Sequence, residues 1–255
     1  MDEQRQRILD QFTKQAIPFT RLHERDDAEF IQTLIDSAEI NAKSEVLDVA
    51  CGPGLVACQV AKTARHVTGV DLTPAMIEQA RRRQQEAGLQ NLSWVVGDAQ
   101  PLPFNENHFD RIITRYSFHH FSDPTSAFAE LVRVCRPQGR VAVCDVFTTS
   151  AEQAELYDQL EQYRDSSHTH ALRGDEFESL FARLADVRQT YYQYPVLVDE
   201  LLSRSFPEPG GAEAFRDMIR RDIGVNRLGV DARDEQGLAF SFPVVVMSGV
   251  KPADV

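Results

Sequence analysis

Val46-Leu47-Asp48-Val49-Ala50-Cys51-Gly52-Pro53-Gly54 is the stretch on which the rest of the chain is read. Apolar or small residues surround one acid, Asp48, and the run then breaks into two glycines before a helical pattern starts at Leu55. A short apolar run, a Gly-rich turn and a helical period read as strand, tight loop and helix. Glycine adds no Cβ and tolerates positive φ, so such a loop lets a ligand approach the backbone. Gly52-Pro53-Gly54-Leu55-Val56-Ala57 also satisfies the loose dinucleotide pattern G-x-G-x-x-A. A pyrophosphate at the helix N-terminus would be repelled by a neighbouring carboxylate, however, so Asp48 points to a ligand with a positive end.

Working outward, His66 to Asp71 reads as a second strand ending in an acid, followed by Thr73 as a helix cap and Pro74 at the first helical position. A carboxylate at the end of the second strand of a βαβ unit suits the two hydroxyls of a ribose. Leu92 to Ala99 supplies a third strand and a third acid, Asp98. Phe109 to Arg115 reads as a fourth strand, 124–136 as a helix and Val141 to Val146 as a fifth strand. Strands alternating with helices imply a parallel sheet with right-handed crossovers.

Asp48-Val49-Ala50-Cys51-Gly52-Pro53-Gly54 resembles the first motif of the class I S-adenosylmethionine-dependent methyltransferases. From Glu45 to Val146 the chain is similar to their ubiquinone/menaquinone-biosynthesis-like branch, with a methyltransferase domain of type 11. The resemblance implies an α/β fold: a seven-stranded, Rossmann-like, mostly parallel sheet with an antiparallel last strand, helices on both faces and helical lid additions. It implies S-adenosylmethionine as cofactor, S-adenosylhomocysteine as product, and no metal. The cofactor carries an ammonium, a carboxylate and a sulfonium. By position, the resemblance assigns cofactor binding to Asp48, Gly52 and Gly54 in the first motif, and to Asp71, Leu72 and Met76 around the second strand end. Asp98 and Ala99 would read the adenine, Thr114 would face the methionine part, and Arg21 is the candidate partner of the carboxylate. Two departures stand out: Gln138 replaces the middle residue of a common Pro-Gly-Gly turn, and Asp145 stands where the quinone enzymes have Glu.

The 255 residues carry a formal net charge of −12 and 42% hydrophobic residues, which suits a globular protein and argues against a polyanion such as nucleic acid as partner. The densest basic run, Arg81-Arg82-Arg83, lies on a predicted helix with polar neighbours and reads as a solvated face. No basic leader precedes an apolar core, and no apolar run approaches the roughly 20 residues that span a bilayer, so a cytoplasmic protein without membrane insertion is expected. Cys51, Cys58, Cys135 and Cys144 form no C-x-x-C pair and read as packed, reduced thiols. Nothing in the sequence specifies an oligomeric state.

A single domain over 1–255 is expected. It comprises an N-terminal helical cap (1–40), a cofactor-binding core (44–147), lid insertions with a sixth strand (148–237) and a last strand (238–250). In the cap, residues 5–15 and 28–38 have helical spacing, with a break at Pro18. Residues 186–194 read as the sixth strand because Thr190, Tyr191, Tyr192 and Tyr194 favour a pleated surface. The insertions emerge at the carboxyl edge of the sheet, where open α/β sheets bind ligands. Phe19, Tyr116, Tyr191 and Tyr192 are the candidate walls of an acceptor pocket for a small, partly apolar or aromatic molecule.

Methyl transfer is an in-line displacement at a sulfonium carbon, so the protein has to align the reactants and exclude water. A general base is needed only where the acceptor loses a proton. His119 and His120, after the fourth strand, are candidates for that role, and each could instead cap or pack the loop. His168 and His170 could also approach the acceptor, but no metal-ligand spacing joins the four histidines. The expected function is methyl transfer to a small acceptor. The alternative is a protein that binds the same cofactor in a non-methylating, cyclase-like or regulatory role.

Overall fold

The computed structural model of the chain describes residues 2–20 and 24–253. The strands are β1 (Glu45–Val49), β2 (His66–Asp71), β3 (Leu92–Val96), β4 (Phe109–Arg115), β5 (Cys135–Val146), β6 (Ala185–Leu197) and β7 (Ala239–Val250). They form one sheet in the order β3-β2-β1-β4-β5-β7-β6. β1 to β5 pair in parallel, while β7 is antiparallel to both β5 and β6, so the expected mixed sheet is present. Strand order reverses between β1 and β4, which opens a crevice at the carboxyl ends of those strands.

The helices are α1 (Glu3–Thr20), α2 (Glu24–Ser37), α3 (Leu55–Val60), α4 (Pro74–Glu86), α5 (Pro124–Val134), α6 (Ala151–Arg164), α7 (Gly174–Phe181), α8 (Val198–Arg204) and α9 (Gly211–Asp222). Side chains alternate across a strand, and β1 shows the consequence. Val46 packs with α2, α3, α8 and α9 on one face, and Leu47 and Val49 pack with α5 and α7 on the other. Asp48 therefore falls on the α3 side, at the strand's carboxyl end.

Several boundaries differ from the sequence expectations. α1 continues through Pro18, because a proline in the last turn forfeits a single backbone bond, to Lys14, which is exposed. α8 forms inside the stretch expected as lid, burying Val198, Leu201 and Leu202. β5 starts at Cys135 instead of Val141: Gln138 takes a left-handed φ of 62° and the strand continues past it. Lys251 holds that region from beyond β7, its Nζ donating to Asn107 Oδ1 at 2.9 Å and to the Val132 and Cys135 carbonyls at 3.0 Å each. The basic run on α4 divides: Arg82 pairs with Glu78 one turn back, whereas Arg83 Nε donates to the Pro53 carbonyl at 3.2 Å. All four cysteines are buried. Among the described residues no helix is long and apolar enough to cross a membrane.

Candidate active site

The turn after β1 is held by backbone geometry. Ala50, Gly52 and Gly54 all have positive φ, at 54°, 52° and 77°. The two glycines are needed for different reasons. A Cβ on Gly52 would meet nothing, but its N–H donates to Asp71 Oδ2 at 2.8 Å and its backbone faces the cavity. A Cβ on Gly54 would lie 2.8 Å from the Trp94 ring and 3.0 Å from Ala80 Cβ. Gly54 therefore lets β3 and α4 close beneath the turn, and it does not line the cavity.

Asp71, at the end of β2, joins two loops. Its Oδ2 takes the Gly52 N–H and its Oδ1 takes the Thr73 N–H, both at 2.8 Å. It is this carboxylate that meets the start of α4, since the Thr73 side chain makes no cap bond. Burial raises the Asp71 pKa, opposed by those two N–H groups. Asp98 accepts from the Gln100 N–H at 2.9 Å and receives Arg5 Nε of α1 at 2.5 Å. Arg5 also donates to the Gln100 carbonyl at 2.6 Å, and Gln4 donates to the His120 and Ser167 carbonyls at 2.9 and 2.7 Å. The first turn of α1 is thus tied across the crevice.

These groups enclose a cavity of about 430 Å³, within the usual size range of small-ligand sites. It brings together Asp48, Gly52, Asp71, Leu72, Met76, Asp98, Ala99 and Tyr116. One Asp48 oxygen, Oδ2, is buried without a hydrogen-bond partner. Burial, then the charge of Asp71, push the Asp48 carboxyl up to about 8. A buried acid with an unmet oxygen on a cavity wall is a site for a cationic group.

Beyond the end of β4 lies a second, smaller cavity of about 160 Å³, which shares Phe12, Arg115, Tyr116 and His120 with the first. His119 and His120 sit on a single 3-10 turn, Phe118–His120, and differ sharply. His119 Nδ1 lies 2.6 Å from Asp145 Oδ1, while Asp145 Oδ2 accepts the Ser117 and Phe118 N–H groups at 2.8 and 2.7 Å. Burial is the largest influence on His119 and favours the neutral ring, but the charge of Asp145 and its hydrogen bond carry the net shift upward. His120 has Nδ1 3.1 Å from the Ser167 carbonyl and an edge-on contact with Phe12, and burial followed by the charge of His119 lowers its pKa to about 3.

Other candidates lie elsewhere. Thr114 is buried, donates to the Val49 carbonyl at 2.7 Å and lines neither cavity. Tyr191 is 49% exposed and packs on Phe147, and the Tyr192 hydroxyl meets Cys144 Sγ at 3.2 Å; neither ring lines a cavity, whereas Tyr194 lines the smaller one. Adjacent residues of a strand face opposite sides, so a run of tyrosines cannot enter one pocket together. Arg21 and the side chain of Phe19 lie outside the described residues. His168 and His170 both bind Asp158, at 2.7 and 2.8 Å. Among the described residues no cluster of three His, Cys, Asp or Glu side chains is arranged to hold a metal.

Arg5, Phe12 and Gln15 carry no site signal in the sequence, because their approach to the cavities depends on how α1 docks. Asp145 reads in the sequence only as a departure. An acid at the end of a fifth strand is the same signal that marked Asp48, Asp71 and Asp98.

A methyltransferase-domain family model matches residues 47–143. The chain is 29% identical over 237 residues to a Bacillus subtilis (strain 168) relative named as an uncharacterized methyltransferase, YcgJ, covering 88% of this chain and 91% of the relative. The crystal structure of the YcgJ protein from Bacillus subtilis matches with a TM-score of 0.80 at 26% identity, covering 90% of this chain and 99% of that one. A ubiquinone/menaquinone biosynthesis C-methyltransferase, UbiE of Roseobacter denitrificans (strain ATCC 33942 / OCh 114), is 35% identical over 117 residues, 45% of this chain and 47% of the relative. The matched methyltransferase domain runs from Leu47 in β1 to Val143 in β5 and contains Asp48, Asp71 and Asp98.

Proposed function

We propose that the larger cavity binds S-adenosylmethionine and that the protein transfers its methyl group to a small, partly apolar or aromatic acceptor. The observation that carries this reading is the buried Asp48 Oδ2 without a partner on the cavity wall. An ammonium group would satisfy that oxygen and favour the ionised acid. Asp71 and Asp98 lie on the same wall, suited to a ribose diol and an exocyclic amine, and Met76 offers an apolar surface to a base. When bound, the donor supplies an electrophilic methyl carbon and a neutral thioether leaving group. The chain's part is to orient the donor through these acids and to exclude water by the Gln4 and Arg5 ties of α1.

Calorimetry with S-adenosylhomocysteine and with NADH tests the ligand assignment. Binding of the first and not the second supports it, and the reverse sinks it. Formation of S-adenosylhomocysteine from the donor in the presence of phenols, quinols and amines tests transfer. Binding without turnover of any of them would favour the non-methylating alternative.

A further inference from the structure

We propose that the smaller cavity is the acceptor site and takes a single hydroxylated six-membered ring, with His119 Nε2 removing the hydroxyl proton as the oxygen accepts the methyl group. The inference rests on the donor reading of the larger cavity. Size sets the class of ligand: the smaller cavity measures about 160 Å³, and an apolar cavity of about 150 Å³ admits benzene. Its walls include Phe12, Tyr116, Tyr194, Leu201 and Phe242, which suit a ring. Because Phe12, Arg115, Tyr116 and His120 border both spaces, a ligand in one abuts a ligand in the other.

Polarity sets the functional groups. Asp145 takes His119 Nδ1, so Nε2 is the ring nitrogen left for the cavity that His119 lines. The second acceptor is Gln15 Oε1, buried without a partner on the same wall. Two hydrogen-bond acceptors call for a ligand with two donors, as in a ring bearing neighbouring hydroxyls. Glu161 is occupied by Arg164, and Asp165 accepts the Ser167 N–H at 2.9 Å.

The step balances without a further reactant. The hydroxyl oxygen forms a bond to the methyl carbon as the carbon–sulfur bond breaks, and its electron pair stays on sulfur, turning the sulfonium into a thioether. The hydroxyl proton passes to His119 Nε2 and then to water. Asp145 does not touch the acceptor. It is a positioning residue that fixes the tautomer and stabilises the imidazolium, supported by the Ser117 and Phe118 N–H groups.

The test uses the full chain with catechol and phenol as probes. Catechol should bind the S-adenosylhomocysteine complex in calorimetry, and the donor should yield its O-methyl ether by mass spectrometry. His119→Ala should lower kcat by about 100-fold or more, the usual scale of general-base loss, with the donor affinity of the folded variant within about twofold. Gln15→Leu should raise KM for catechol about tenfold, one hydrogen bond's worth, and leave KM for phenol unchanged. The charged and titratable groups facing His119 are Asp145 of β5, Glu161, Arg164 and Asp165 at the end of α6, His120 beside it, His168 stacked at 5.4 Å, Arg115 of β4 and Arg204 of α8. Of these Asp145 holds the ring, so Asp145→Asn should move the rising limb of the kcat–pH profile to lower pH as well as lowering its plateau. If that variant does not fold, the NMR titration of His119 in the wild type replaces it, and bound catechol must shift that titration. Full turnover in His119→Ala, methyl appearing only on carbon or nitrogen, or no binding of catechol to a complex that does hold S-adenosylhomocysteine would overturn the inference and spare the donor reading. Failure of S-adenosylhomocysteine to bind at all would overturn both.

Discussion

Donor affinity should depend on the ionisation of Asp48. In the ligand-free protein its carboxyl is pushed up to about 8, so it is mostly protonated below neutrality and must lose its proton to face an ammonium. With the ligand amine charged throughout, a pKa of about 8 predicts that S-adenosylhomocysteine affinity rises about 24-fold between pH 6.0 and 7.5, about 1.9 kcal/mol. Asp71 is raised as well and adds in the same direction. Calorimetry in buffers of different ionisation enthalpy should find close to one proton released per ligand at pH 6.0. Asp48→Asn should remove the pH dependence, so that its affinity approaches the wild type's as pH falls and trails it most at pH 7.5. The ligand-free protein carries the opposite sign. A folded pKa above the unfolded value of 3.8 contributes stability that is complete below the unfolded value and is lost as pH rises through about 8. The stability of Asp48→Asn relative to wild type should therefore improve by about 1.4 kcal/mol per pH unit across that window in urea unfolding. Flat affinity from pH 6.0 to 7.5 with no proton release would refute the assignment of Asp48 to a cationic group.

Asp71→Asn should weaken S-adenosylhomocysteine by about 2 kcal/mol, roughly 30-fold, through loss of charge-assisted bonds; unchanged affinity in calorimetry would remove the ribose role. It is a cleaner test than Asp71→Ala, which would also strip the acceptors of the Gly52 and Thr73 N–H groups. Gly69→Ala would place a Cβ 2.5 Å from the Trp94 ring and 2.9 Å from Cys51 Sγ. It should cost about 1–3 kcal/mol in urea unfolding, with a changed emission from the chain's one tryptophan; wild-type stability would contradict that packing. Gln138→Gly should gain up to about 1 kcal/mol by removing a side chain from a left-handed conformation, because Gln138 is exposed with φ of 62°, and a loss of stability would show that the side chain contributes there.

The sheet was readable from the chain because its signals are local. Apolar runs of four to six residues alternate with helical patterns, and strand and helix periods are set by the backbone itself. The acids Asp48, Asp71 and Asp98 could be placed for the same reason: each lies at or just past the carboxyl end of a strand, and parallel strands bring those ends to one edge. Even the reason for Gly54 was not local, since its Cβ is excluded by Trp94 and Ala80, residues brought over it by β3 and α4.

What tertiary structure alone decided is the environment of each side chain. Neighbouring histidines in one turn were equivalent by sequence, yet contact with Asp145 raises His119 and burial lowers His120. Tyr191 and Tyr192 are candidate pocket walls by sequence and line neither cavity, while Phe12 and Gln15 line the smaller one because α1 lies across the crevice. A sequence period records which face of an element is apolar, but pKa and pocket membership depend on the distance to groups on other elements, and that distance exists only after the elements have packed.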